Sequence, residues 1–284
     1  MAADITTEIT VQEFDLQLWV ATDLLRLRSL HYGYWGDGEP VKLDFRIIRQ
    51  AQARYTRLLV NTVPPGVHAI LDVGCGVGCN ARALAQKGHR VTSISPDRNH
   101  EKFFQDVPET LRFCRSKYED FSSAEQYDLV LMSESQNYFD ADAGLAQTRR
   151  LLTPGGYLLI CGMFRKKNTP KFDQVRNVED EYLHKAQKHG FELLERVDIT
   201  PNVTPTLDIV RMAKEEYLTP LVSAASNGRR WKLMVAGLLF RKELGQFRRI
   251  QRYYEEFSDS QFFSQHVSYL KLLFRCKDYR QRPN

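Results

Sequence analysis

Three glycines stand at alternate positions in the run ILDVGCGVG, residues 70–78: Gly74, Gly76 and Gly78. The apolar stretch HAILDVG leads into them and CNARALAQKG follows. Glycine lets a backbone turn tightly and approach a ligand where any Cβ would collide. A strand, a glycine turn and a helix in that order therefore form a place where a ligand meets backbone. A dinucleotide fingerprint, G-x-G-x-x-G, would put its third glycine at position 79. That position is Cys79, so the spacing argues against a nicotinamide dinucleotide.

A second unusual run is HYGYW, residues 31–35, four rings around Gly33 with the polar turn GDGEP directly after it. Bulky rings in such density are either a piece of core or a lid over something bound, and the run alone leaves both readings open.

These residues need a scaffold. Apolar residues recur at helical spacing over 11–30 and again over 43–63, so two helices are predicted to flank HYGYW before PPG at 64–66 breaks the chain. The rhythm then changes. HAILDVG, HRVTSIS, LRFCRS, YDLVLMS and GGYLLICGMF read as five strands, most of them separated by helical stretches such as AGLAQTRRLL. FELLERVDI (191–199) is a sixth and HVSYLKLLFRC (266–276) a seventh. Strands alternating with helices predict an α/β fold, a mostly parallel sheet with helices on both faces. More than sixty residues lie between the last two strands, and helices are predicted within them. A connection of that length is usually a functional cap or an interface.

Composition narrows the class. The 284 residues suffice for one large domain. No run approaches the roughly 18 apolar residues of a membrane span, and the N-terminus MAADITTEITVQEFD lacks the basic start and apolar stretch of a signal peptide. A cytoplasmic location is expected. Five cysteines, at 75, 79, 114, 161 and 276, are odd in number and not spaced as a disulfide framework. Cys75-x3-Cys79 has no second ligand pair near it, so no metal is expected. The net charge is +5. Residues 227–256 carry eight basic and three acidic side chains, so that stretch alone accounts for the excess. A solvated helix face, an acidic acceptor, a carrier protein or an anionic membrane surface are its alternative explanations.

LDVGCGVG resembles motif I of the class I S-adenosylmethionine-dependent methyltransferases. YDLVLMSESQNYF, RRLLTPGGYLLI and HGFELLERVDIT resemble the later segments of that family in the same order, over most of residues 45–200. The resemblance implies a Rossmann-like seven-stranded sheet with its last strand antiparallel. It also implies an N-terminal helical lid (1–62), a cofactor-binding core (63–200), a helical cap insertion (201–263) and a closing strand with tail (264–284). The cofactor implied is S-adenosyl-L-methionine, lying across the carboxyl ends of the strands. Gly74, Cys75 and Gly76 are expected to meet its methionine part through backbone, with Gly78 completing the turn. Asp72 is expected to orient the loop or accept from the amino group. Many members end the second strand on an acid for the ribose hydroxyls. Here the run is VTSISPDRNH, which offers Ser93 or Ser95. In SKYEDF, Lys117 takes the usual acidic position, so the adenine falls to the Tyr118 backbone or to Glu119. Ser133 closes the fourth strand beside the cofactor.

The acceptor is harder to read, because transfer from a sulfonium needs alignment first and a base only when the acceptor must lose a proton. Base-methylating members usually carry Asn/Asp-Pro-Pro-aromatic after the fourth strand. SESQNYF has no proline, so nucleic acid is a disfavoured partner. HYGYW resembles the H-[YH]-G-[YF]-[WY] segment of tocopherol, sterol and cyclopropane-fatty-acid enzymes, which closes over the cofactor and implies a small-molecule acceptor in specialised-metabolite or lipid-like biosynthesis. Tyr32 and Tyr34 would then direct hydroxyls to the methionine carboxylate while their rings exclude water. Glu134 is the best-placed carboxylate for binding an acceptor or removing its proton, with Tyr138 and His31 as further catalytic candidates. Homo-oligomerisation through the helical insertion is a further expectation. An RNA methyltransferase, or a non-catalytic protein retaining the cofactor fold, are the alternatives.

Overall fold

The computed structural model describes residues 15–169, 175–213, 215–216 and 259–277. The helix predicted over 11–30 is shorter than expected. α1 (Leu16–Trp19) runs into a wider π-type turn over Val20–Leu24 and helical structure stops there. Two local features account for this. Thr22 turns its hydroxyl back onto the Leu18 carbonyl at 2.9 Å, a bond that bends helices. Arg26 then adopts a left-handed φ of 51°, which ends any helix of L-residues.

α2 (Phe45–Thr62) is capped by Asp44, whose carboxylate accepts from the Arg46 amide at 2.8 Å. Ala51, Gln52, Tyr55, Thr56 and Leu59 form its buried stripe. It ends at Pro64–Pro65, where two residues cannot donate to a helix.

The core follows as β1 (Ala69–Val73), α3 (Cys79–Gln86), β2 (Arg90–Ser95), a 3-10 helix (Arg98–Phe104), β3 (Leu111–Arg115) and β4 (Tyr127–Ser133). α4 (Ala141–Leu151), β5 (Leu152–Arg165), α5 (Glu179–Lys188) and β6 (Phe191–Asp198) complete the run of expected elements. α6 (Thr200–Val203) and α7 (Pro205–Ala213) open the insertion. α8 (Ser260–His266) closes it and leads into β7 (Val267–Cys276). The helices predicted between 217 and 258, and with them the basic stretch 227–256, lie outside the described residues.

The sheet order is β3-β2-β1-β4-β5-β7-β6. β7 is antiparallel to both neighbours and all other pairings are parallel. Helices and the N-terminal segment cover the two faces, each with its own apolar cluster. Ile70, Leu129, Leu131 and Leu159 pack with Tyr55, Leu59 and Leu84 on one face, and Leu71, Val130, Leu158 and Ile160 with Leu145 and Tyr182 on the other. A sheet buried on both sides explains why its central strands read as continuous apolar runs rather than alternating ones. In such a sheet the open ground lies beyond the carboxyl ends of the strands, where β1 and β4 diverge toward opposite edges.

Candidate active site

The glycine turn fills that ground. Gly74, Gly76 and Gly78 have φ of +73°, +52° and +77°, values that L-residues rarely adopt. A Cβ on Gly74 would also lie 2.6 Å from the Ser135 Cβ. The turn is held from three sides. The Gly74 and Cys75 amides donate to the Ile94 carbonyl of β2 at 2.9 and 3.2 Å. Ser135 donates to the Val73 carbonyl at 2.6 Å. Arg82 reaches back to the Val77 and Phe103 carbonyls, both at 2.6 Å. Gly74 itself stays exposed, so the turn is rigid behind and open in front.

Two buried polar atoms on the strands beside this turn have their hydrogen bonding unmet. Asp72 and Ser93 are register partners on β1 and β2. Asp72 Oδ2 and Ser93 Oγ are both sealed from solvent and have no partner among the described residues. Burial pushes the Asp72 carboxyl up to about 7. Orphaned buried polar atoms are rare in folded proteins. A ligand carrying an amino group and hydroxyls, laid along the glycine turn, matches such a pair, so these residues fit the methionine and ribose parts of S-adenosylmethionine.

Ser95, the other serine considered for the ribose, is already engaged. Its hydroxyl meets His100 Nδ1 at 2.8 Å and accepts from the Asp97 amide at 3.2 Å. His100 thus joins the cleft wall, and nothing in SPDRNH marked it. The N-terminal segment crosses above. Leu30 Cδ1 lies 3.6 Å from where a Gly76 Cβ would be, and Asp23 approaches Lys102 on the 3-10 helix at 4.0 Å. Both partners of that ion pair are about half exposed, so it holds the segment weakly.

HYGYW is fastened far more firmly. Trp35 is 2% exposed. Its indole donates to Thr206 at 3.0 Å, its amide donates to the Asn202 carbonyl at 2.8 Å, and Asn202 donates back to the Trp35 carbonyl at 2.9 Å. A buried tryptophan is worth about 3–5 kcal/mol against alanine, a neutral hydrogen bond about 1, so packing dominates the anchor. The Gly33 amide donates to Thr206 at 3.1 Å, and Tyr34 pairs its amide with the Ala51 carbonyl at 2.9 Å. The Tyr32 ring packs near Phe263 and Tyr269, with centroids 6.4 and 5.5 Å away.

Glu134 lies at the meeting point of these parts, one residue beyond β4. Its φ is +61°, costly for a side chain of this size and typical of places where function constrains the backbone. The Glu134 amide donates to the Cys161 carbonyl at 2.8 Å. Oε1 accepts from the Tyr32 amide at 3.0 Å and, by a short hydrogen bond, from the Tyr269 hydroxyl. Oε2 receives no donor among the described residues and is not sealed from solvent. Burial raises the Glu134 carboxyl to about 7, against the opposing pull of those two donors. No basic side chain among the described residues offsets its charge. Behind it, Tyr269 and Tyr55 hydroxyls are 2.9 Å apart, and Tyr55 also lies 3.3 Å from Ser133 Oγ.

The remaining expected residues divide. Tyr138 is 78% exposed, and desolvation of its phenol, followed by the neighbouring Glu134 charge, raises it. Ser133 is half-buried and faces Tyr55. The Cys75 thiol is raised by burial and stays protonated. Tyr118 is a core residue, its hydroxyl bonded to Thr148 at 2.7 Å, which leaves only its backbone to the cleft. Glu119 is exposed. His31 needs correcting as a proton carrier. Nδ1 faces the Tyr32 carbonyl at 2.7 Å and Nε2 faces Thr56 at 3.1 Å. The ring stacks on Tyr55, and burial lowers it to about 4, so it is neutral and both nitrogens are occupied. Tyr34 is half-buried against the core of the helical face. Tyr55 and Tyr269 had read only as apolar positions of a helix and a strand.

Comparison with known proteins agrees with this geometry. Residues 71–160 match the family described as a methyltransferase domain. The chain is 28% identical over 227 residues to methyltransferase GfsG of Streptomyces halstedii, covering 71% of this chain and 80% of that one. It is 28% identical over 203 residues to an O-methyltransferase of Pyrenophora dematioidea, covering 64% and 74%. Among solved structures, the 4+2 cyclase SpnF superposes with a TM-score of 0.67 at 19% identity, over 92% of this chain and 94% of that one. That likeness is one of fold.

Proposed function

We propose that this chain, a class I S-adenosylmethionine-dependent methyltransferase acting on small molecules, methylates a neutral hydroxyl of a largely apolar acceptor, with Glu134 as proton acceptor. The observation that carries the reading is the asymmetry of the Glu134 carboxylate. Oε1 is pinned by two donors while Oε2 has no donor among the described residues. An anionic acceptor group would meet an unpaired carboxylate there, a repulsion in a region of low dielectric. A hydroxyl brings a hydrogen-bond donor instead. The O-methyltransferase among the relatives is consistent with this chemistry.

Asp72, Ser93 and the backbone of Gly74, Cys75 and Gly76 would hold the cofactor, with Gly78 shaping the turn, Ser95 and His100 lining the ribose side, and the Tyr118 backbone and Glu119 toward the adenine. When bound, S-adenosylmethionine supplies a methyl group already activated on a sulfonium sulfur. The residues of this chain supply alignment, dryness and proton removal. Leu30 and the rings of Tyr32 and Tyr34 cover the cleft and limit water. Tyr138 offers an apolar face to the acceptor at the mouth. Glu134 Oε2 would take the proton of the acceptor hydroxyl, whose own oxygen would gain the methyl group as the cofactor's carbon–sulfur bond breaks. A carboxyl raised to about 7 is poised for this near neutral pH.

The test is transfer of label from methyl-labelled S-adenosylmethionine to a panel of hydroxylated apolar small molecules. Label recovered as a methyl ether, with Glu134→Gln lowering the rate roughly 100-fold, is the expected result. Label recovered in RNA, or no binding of S-adenosylhomocysteine in calorimetry, overturns the reading.

A further inference from the structure

We infer that Tyr269, on the antiparallel last strand, is a positioning residue that fixes which oxygen of Glu134 meets the acceptor, and that Tyr55 holds Tyr269 in that role. The inference rests on the reading of Glu134 as the proton acceptor.

The argument begins with donor bookkeeping. A phenol has one proton to give. Tyr269 gives its proton to Glu134 Oε1. Its oxygen is then free to accept, and for the Tyr55 hydroxyl as donor the Tyr269 oxygen at 2.9 Å is nearer than the Cys161 carbonyl at 3.3 Å. Tyr55 in turn lies 3.3 Å from Ser133 Oγ, on the site side of the sheet. The hydroxyls so ordered form a file from Ser133 through Tyr55 and Tyr269 that ends on one carboxylate oxygen. Each member of such a file polarises the next. Both tyrosines are fully buried and cross at 84° with centroids 6.2 Å apart, so neither ring can swing away. Burial holds both phenols well above their ordinary range, so they remain donors at any working pH.

The consequence is geometric. A carboxylate with a left-handed backbone and only the bond from the Tyr32 amide could rotate about χ3 and present either oxygen. A short bond from a rigid strand removes that freedom. It also favours the charged form of Glu134, since a donor to a carboxylate stabilises the anion. Tyr269 therefore orients the base and lowers its proton affinity against the pull of burial, although its own hydroxyl need not touch the acceptor.

The experiment uses the full chain with bound S-adenosylhomocysteine and selective 13C labelling of glutamate carboxyl carbons. The Glu134 resonance is assigned by its loss in Glu134→Gln and titrated. Tyr269→Phe should move its midpoint upward by about one pH unit, tenfold in proton affinity, with calorimetric affinity for S-adenosylhomocysteine unchanged. Tyr55→Phe should move it in the same direction by less, and serves if Tyr269→Phe fails to fold. A midpoint unmoved in the folded variant overturns the positioning role. Full methyl transfer by Glu134→Gln overturns instead the base on which that role depends.

Discussion

The backbone amide of Tyr32 donates to Glu134 Oε1 at 3.0 Å across a separation of 102 residues. The proposed base is thus completed by the segment that covers it. The amide is a donor that favours the charged form of the carboxylate, and the packing that holds HYGYW in place also holds that donor.

Gly33→Ala tests the seating. A Cβ there would lie 2.7 Å from the Ala51 Cβ and 2.9 Å from the Trp35 indole nitrogen. Overpacking of this kind costs about 1–3 kcal/mol. The segment should be displaced, with affinity for S-adenosylhomocysteine lowered roughly tenfold and melting temperature reduced. Calorimetry and thermal unfolding read the two effects.

Turnover should rise with pH through about 7, the value to which burial lifts Glu134, because only the carboxylate can take a proton. Glu134→Gln should abolish that limb of the profile while leaving cofactor affinity within about twofold. A profile flat from pH 6 to 8 in the wild type would remove Glu134 from the chemistry.

Stability should respond in the opposite sense. Burial raises Glu134 from its ordinary 4.5 to about 7, so the native state binds this proton more tightly than the unfolded chain. The stability it contributes is full below about pH 4.5 and is lost as pH climbs through 7. Glu134→Gln should therefore melt higher than the wild type at pH 8, by on the order of 2 kcal/mol in stability, and about equally at pH 5. Greater stability with lower activity is the trade expected of a site residue.

Gly74→Ala combines a left-handed φ of +73° with a Cβ 2.6 Å from that of Ser135. It should weaken S-adenosylhomocysteine binding more than 30-fold, roughly 2 kcal/mol. Tyr138→Ala, at a residue 78% exposed, should leave both folding and cofactor affinity intact and raise the acceptor KM. Equal KM values for several acceptors would take Tyr138 out of acceptor recognition.

Much of this molecule was legible before folding. The alternation of apolar runs with helical stretches marked all seven strands, because a sheet buried on both faces needs continuous apolar segments. The glycines at 74, 76 and 78 marked the turn after β1, because glycine adopts such positive φ values at no steric cost. Periodicity predicts a first helix that continues past Leu24, since a Thr22 side-chain bond and a left-handed Arg26 are invisible to it. His31 advertises proton chemistry by its type, and the sequence gives no sign that the Tyr32 carbonyl and Thr56 engage both of its nitrogens.

The sequence by itself determined the scaffold, a glycine turn at the end of the first strand and a carboxylate just beyond the fourth, because each depends on local pattern or on a residue's own conformational limits. Only the tertiary structure decided that Ser95 is engaged by His100 and the Asp97 amide while Ser93 Oγ lies sealed with no partner among the described residues, and that HYGYW is packed into the core, with Trp35 buried and the Tyr32 amide turned to Glu134. It alone showed that Tyr55 and Tyr269 stand in line behind that carboxylate. Such roles depend on which distant atoms share a hydrogen bond, and the distance between residues 32, 55, 134 and 269 along the chain carries no trace of their meeting.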